Sequence, residues 1–220
     1  MTRALAVLLA PIVLVQAARL RRTTPLLPAP EGERVGGTGN LRLVVVGDST
    51  AVGTGTASLE DALPGRLGKL LGARWRAVGR NGATAADVLR DHIDEAAGGP
   101  ADVAVLLVGW NDALTLRSGR AFARDLGALI DRLTAASPTG QVVVVAPPVF
   151  AHVAALPQPL RTALGAHAAG LTRVAQRVAE ERGVHFAPGF DGQSVSSDGF
   201  HPDRRGYKSI AAGIVAALTS

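Results

Sequence analysis

Four short groups of residues in this chain carry the atoms that acyl transfer requires. Gly47-Asp48-Ser49 follows an unbroken apolar run, so the Ser49 hydroxyl should stand at its end beside the N–H groups of a glycine-rich turn. A serine attacks an acyl carbon usefully only when a base takes its proton. His201 is suited to be that base. Asp198, three residues earlier, can reach the imidazole Nδ1 from the same short turn, fixing the tautomer and stabilising the imidazolium. A tetrahedral intermediate then needs donors aimed at its oxyanion. Gly82 offers a close backbone N–H, Asn111 a side-chain amide, and Ser49 its own N–H. Each group alone also has a structural reading. A Gly-Asp-Ser turn is common, an Asn at a strand end often caps a helix, and Asp-x-x-His before a helix can be an N-cap with an exposed histidine. Their joint appearance in this order, at successive strand ends, argues against coincidence.

The elements that position these groups are legible in the hydrophobic pattern. Leu41–Val46 (LRLVVV) reads as a first buried strand and Ser58–Leu71 as the first long helix after a glycine-rich turn. Arg74–Val78 reads as a second strand and Thr84–Ala97 as a helix. Val103–Val108 and Gln141–Ala146 are short β-branched runs suited to interior parallel strands, with a helix over Gly119–Ala136 between them. A long helix over Leu160–Arg182, a short strand at Val184–Phe186 and a last helix over Arg204–Leu218 complete the pattern. This strand–helix repetition predicts an α/β fold, a three-layer α/β/α sandwich of flavodoxin-like build with a central parallel sheet. Ligands of such sheets sit beyond the carboxyl ends of the strands. The polar groups fall there: Gly47-Asp48-Ser49 after the first strand, Gly79–Gly82 after the second, Gly109–Asp112 after the third, and Asp198–Pro202 before the last helix.

With those blocks in place, the sequence resembles the SGNH hydrolases, the GDSL-type esterase and lipase superfamily. Gly47-Asp48-Ser49 matches the nucleophile block, with Thr50 where that family most often has leucine. Gly82 matches the glycine block, Gly109-x-Asn111-Asp112 the asparagine block and Asp198-x-x-His201 the final block. The resemblance runs from about Leu41 to the end of the chain. It implies a serine esterase working through an acyl-enzyme, with Ser49 as nucleophile, His201 as base and Asp198 as its orienter. The same resemblance makes the Ser49 N–H, Gly82 N–H and Asn111 the oxyanion hole. No cofactor or metal is implied. The implied substrate is a small-molecule or lipid ester, the superfamily spanning lysophospholipases, short-chain esterases, thioesterases and sugar deacetylases. A binding module that keeps the rim residues without turnover is the alternative from a different class.

Around the site, Pro147–Pro159 is an apolar loop expected to overhang the rim, and Val149, Phe150 and His152 are candidates to line a substrate pocket. Trp110, inside the asparagine block, either borders the oxyanion hole or turns into the core. Asp48 and Asp112 are expected to hold their loops in shape by bonding backbone N–H groups. Other chemistries lack their residues. There is no Gly-x-Ser-x-Gly, no third glycine of a dinucleotide fingerprint and no Gly-Lys-Ser/Thr of a phosphate loop. His92, His152, His167 and His185 are isolated, none paired with another at helical ligand spacing, so no metal site is expected.

With 220 residues, 47% of them hydrophobic, the chain can bury a full core. It has no cysteine, which excludes disulfides and thiolate chemistry. The pI near 10.8 invites a nucleic-acid partner. However, the first 42 residues carry +4 of the total +5, leaving +1 scattered over the rest. A phosphate binder needs clustered positive charge, so no nucleic-acid partner is expected. The apolar run Ala4–Val15, flanked by arginines, makes residues 1–22 a signal- or anchor-like segment. It predicts export, or membrane association through contact with the membrane surface. Residues 23–40, rich in Pro and Gly, read as a linker or surface-hugging arm, and residues 41–220 as the hydrolase domain.

Overall fold

The computed structural model describes residues 3–24 and 27–220. From its N-terminal end the chain forms helix α1 (Arg3–Thr23), a two-residue strand β1 (Val35–Gly36) and the first long strand β2 (Leu41–Gly47). There follow α2 (Leu63–Leu71), β3 (Ala73–Gly79), the short helices α3 (Ala85–Asp91) and α4 (Ile93–Ala96), and β4 (Val103–Leu107). The second half contains α5 (Trp110–Leu114), α6 (Gly119–Ala136), β5 (Gln141–Val145), α7 (Leu160–Glu181), β6 (His185–Ala187) and α8 (Arg204–Leu218).

Six strands pair in the order β1-β3-β2-β4-β5-β6. Strands β2 to β6 run parallel to one another, and β1 closes one edge antiparallel to β3. Counted without β1, the parallel order is 2-1-3-4-5, the flavodoxin-like arrangement, whose switch point lies between β2 and β4. Alternation along the strands divides the core in two. Leu43, Val45, Trp75 and Ala77 pack under α2 and α8, while Val44, Val46, Val78, Ala104 and Leu106 pack under α3, α6 and α7. Buried parallel strands explain why these runs are apolar on both faces.

Two local details differ from the pattern reading. Helix α2 starts at Leu63 rather than Ser58, because Pro64 has no N–H to donate and fits only the first turn of a helix. The helix expected over Thr84–Ala97 is two helices broken at His92. Within residues 23–40, Val35–Gly36 pair with Arg76 and Trp75 of the sheet edge, so this stretch follows the surface as an arm.

Helix α1 lies on α7. Val13, Ala17 and Leu20 pack against the core beneath it, and Gln16 both accepts from the Leu160 N–H (3.1 Å) and donates to the Gln158 carbonyl (2.6 Å). Among the described residues, no helix is long and apolar enough to cross a membrane.

Candidate active site

Strand β2 delivers Ser49 to the rim through a tight exit. Gly47 has φ +154° and lies so close to β4 that an added Cβ would stand 1.9 Å from the Leu107 carbonyl oxygen, so only glycine fits. The turn that follows is held by Asp48, whose Oδ1 accepts from the Thr50 N–H at 2.9 Å. The final block brings its residues to the same point. Ser49 Oγ lies 2.9 Å from His201 Nε2, and His201 Nδ1 lies 2.5 Å from Asp198 Oδ2. Asp198 is in turn fixed by donors to its other oxygen: the Ser196 hydroxyl and the N–H groups of Phe200 and His201, at 2.9 to 3.0 Å.

This geometry determines the tautomer. Burial alone would raise the Asp198 carboxyl, but the hydrogen bonds from His201 and the two amides outweigh it and hold the group below the usual carboxylate range. An ionised carboxylate can only accept, so Nδ1 carries the hydrogen and Nε2 presents its lone pair to the Ser49 hydroxyl. A proton leaving Ser49 therefore has a base in hydrogen-bonding contact, and the resulting imidazolium has a counter-charge.

Gly82 and Asn111 come to the same rim from the ends of β3 and β4. Gly82 adopts φ +77°, and nothing lies within 4 Å of where its Cβ would be, so the space beside its Cα is open. Among the described residues, neither the Ser49 N–H nor the Gly82 N–H donates to another protein group. Asn111 Nδ2 donates to the Ala83 carbonyl at 3.0 Å, leaving the second amide hydrogen for a ligand. Its neighbour Asp112, fully buried, accepts from the Ala85 N–H at 3.0 Å and lies 3.4 Å from Arg117 Nε. The asparagine and glycine turns are thus clamped together twice.

The expected pocket residues divide. Trp110 stacks on buried Phe150, with centroids 4.2 Å apart, and meets Phe200 edge-on at 6.3 Å. Val149 is exposed, and His152 is tied by Nδ1 to the Asp191 carbonyl at 2.9 Å. Phe200 lies outside the expected pocket set, although its place beside His201 in the final block is a signal for it. Ser196, which steadies Asp198 from outside the Asp-x-x-His spacing, gave no such signal.

Two carboxyls beside the site are buried at a cost. Burial, with the nearby Asp112 charge, pushes Asp48 up to about 7 despite the Thr50 N–H, and burial pushes Asp112 up to about 6. Their ordinary value is 3.8, so between pH 4 and 7 the folded chain holds protons that the unfolded chain has lost. Stability from these groups is greatest below that value and falls as pH rises towards 7. Asp198, shifted the other way, adds stability that is lost only as pH falls through the acid range. The melting temperature should therefore decline between pH 5 and 7.5. Asp48→Asn, which preserves the acceptor for Thr50, should flatten that decline and raise stability at pH 8, as thermal unfolding across pH will show. An unchanged slope would mean Asp48 does not titrate in this window.

A hydroxyl, an imidazole and a carboxylate in series at the rim of an α/β/α sandwich, facing backbone and amide donors, form the constellation of a serine hydrolase. The family model described as GDSL-like Lipase/Acylhydrolase matches residues 45–209, which include every residue of this constellation. The chain belongs to that family. It is 32% identical over 203 residues, covering 81% of this chain, to a GDSL-like esterase of Mycobacterium tuberculosis, and spans 62% of the length of that relative. Solved structures share the fold. TesA superposes with a TM-score of 0.66 at 19% identity, over 80% of this chain and 97% of that one. The acetylxylan esterase Axe2 of Geobacillus stearothermophilus gives 0.60 at 18% identity, over 84% and 96%.

Proposed function

We propose that the chain hydrolyses carboxylic esters through a serine acyl-enzyme. The observation that carries this reading is the unbroken contact series from Ser49 Oγ through His201 to Asp198. In the first half-reaction His201 Nε2 takes the Ser49 proton as Oγ bonds to the ester carbonyl carbon, and the carbonyl electron pair moves to oxygen. That oxyanion is received by the N–H groups of Ser49 and Gly82 and by the Asn111 amide. Collapse expels the alkoxide, which leaves as alcohol with the proton from His201. Water, deprotonated by His201, then attacks the acyl-enzyme and regenerates Ser49 with release of the carboxylic acid.

For the substrate, we take the aromatic group as the guide. Trp110 immediately precedes Asn111 and Phe200 immediately precedes His201 in the chain, and the two partly buried rings meet edge-on. An apolar acyl group laid against them would lose water-exposed area on binding. The reading is therefore an ester with an apolar acyl portion, ahead of a polysaccharide acetyl ester. The full chain should release p-nitrophenol from esters of graded acyl length, with kcat/KM rising from acetyl to longer chains. A maximum at acetyl would favour the deacetylase reading. Absence of turnover across the series, together with no reaction with a fluorophosphonate, would overturn the esterase reading in favour of a binding module.

A further inference from the structure

The arm ahead of β2 touches the reacting rim at a corner that the motifs do not include. Thr54 is fully buried and uses all three of its polar groups there. Its N–H donates to the Ser49 carbonyl at 3.0 Å, its hydroxyl donates to Asn81 Oδ1 at 2.7 Å, and its carbonyl accepts from the Tyr207 hydroxyl at 2.7 Å. Asn81, the residue before Gly82, passes the connection on: its Nδ2 donates to the Leu27 carbonyl at 2.9 Å. One line of hydrogen bonds therefore runs from α8, through the serine turn and the glycine turn, into the N-terminal arm.

The arm grips the same corner at two further points. Pro30 lies beside Gly53, where an added Cβ would come within 3.3 Å of its Cγ. Arg34 Nη1 donates to the carbonyl of Gly79, the last residue of β3, at 2.7 Å, and the Arg34 carbonyl accepts from the Ala77 N–H at 2.8 Å. Backbone donors stabilise an oxyanion only when they are held about 2.7–3.1 Å from its final position. The Ser49 and Gly82 donors sit on separate loops, after β2 and after β3, and the Thr54–Asn81 bond joins those loops directly.

We propose that Thr54 and Asn81 are positioning residues that set the spacing of the two backbone oxyanion donors, and that residues 27–37 act as a strap holding Asn81 in that place. This rests on the esterase reading for its kinetic consequence, but the mechanical coupling stands apart from it. The consequence is that the arm belongs to the working site, although the family match begins only at residue 45.

The test uses the full chain with Thr54→Val, Thr54→Ser and Asn81→Ala. Steady-state hydrolysis of a p-nitrophenyl ester is measured beside amide hydrogen exchange in peptides covering 27–37 and 79–84. Thr54→Val and Asn81→Ala should each lower kcat by about tenfold, the loss of one oriented hydrogen bond. KM should stay within about twofold, since the effect falls on the transition state. Thr54→Ser, which keeps the hydroxyl, should retain most of kcat. Exchange should quicken in both segments for the Val and Ala variants and in neither for Ser49→Ala. If Thr54→Val loosens the whole chain, the exposed Asn81 decides. Unchanged kcat in Asn81→Ala would overturn the positioning role, and unchanged exchange over 27–37 would overturn the strap. If the wild-type chain hydrolyses no ester, the esterase reading fails, and the exchange measurement still decides the coupling.

Discussion

Ser49→Ala should abolish ester hydrolysis and leave the fold in place. The nucleophile is the one atom of the series with no substitute, and loss of a triad member that acts as a unit costs about 10⁴-fold or more in kcat. The change itself is small. Ser49 Oγ bonds to His201 Nε2 at a rim position, so its removal takes away one hydrogen bond and opens little space. His201→Ala should be equally severe, and the double variant no worse than either, because without a nucleophile the base has nothing to activate. Equal melting temperatures beside lost turnover would separate chemistry from folding. Wild-type hydrolysis by Ser49→Ala would remove Ser49 from the mechanism.

Asn111→Ala should lower kcat by about 10²–10³-fold, the usual cost of one oxyanion donor. Part of that loss will come through the neighbouring loop. Asn111 Nδ2 also holds the Ala83 carbonyl, so the truncation loosens the turn that carries Gly82 and weakens a second donor. KM should change little if both donors act on the transition state. A large rise in KM at constant kcat would instead make Asn111 a substrate-binding group.

The parts of this site that were legible in the sequence are those held by local chain geometry. Asp198 and His201 share one turn, so their spacing alone predicts the contact seen at 2.5 Å. Ser49, Gly82 and Asn111 converge because each follows a buried strand, and parallel strands end on one rim. The parts that stayed hidden depend on pairing between distant segments. Val35–Gly36 is too short to show a period of two, and its partners Arg76 and Trp75 lie some forty residues away. Nothing in Thr54 or Asn81 distinguishes them from ordinary loop residues until the two turns are brought together. Likewise, the split at His92 and the late start of α2 depend on capping and on Pro64, which blur in an amphipathic pattern. The loop expected to line a pocket gave a mixed result for a similar reason. The Phe150 ring goes under Trp110, while His152 turns out to the Asp191 carbonyl.

The most direct measurement is labelling of the intact chain with a fluorophosphonate, followed by peptide mass spectrometry. A single adduct is expected on Ser49, formed with loss of fluoride, absent in Ser49→Ala and strongly slowed in His201→Ala. An adduct on another serine, or ester turnover by a chain whose Ser49 remains unlabelled, would contradict it.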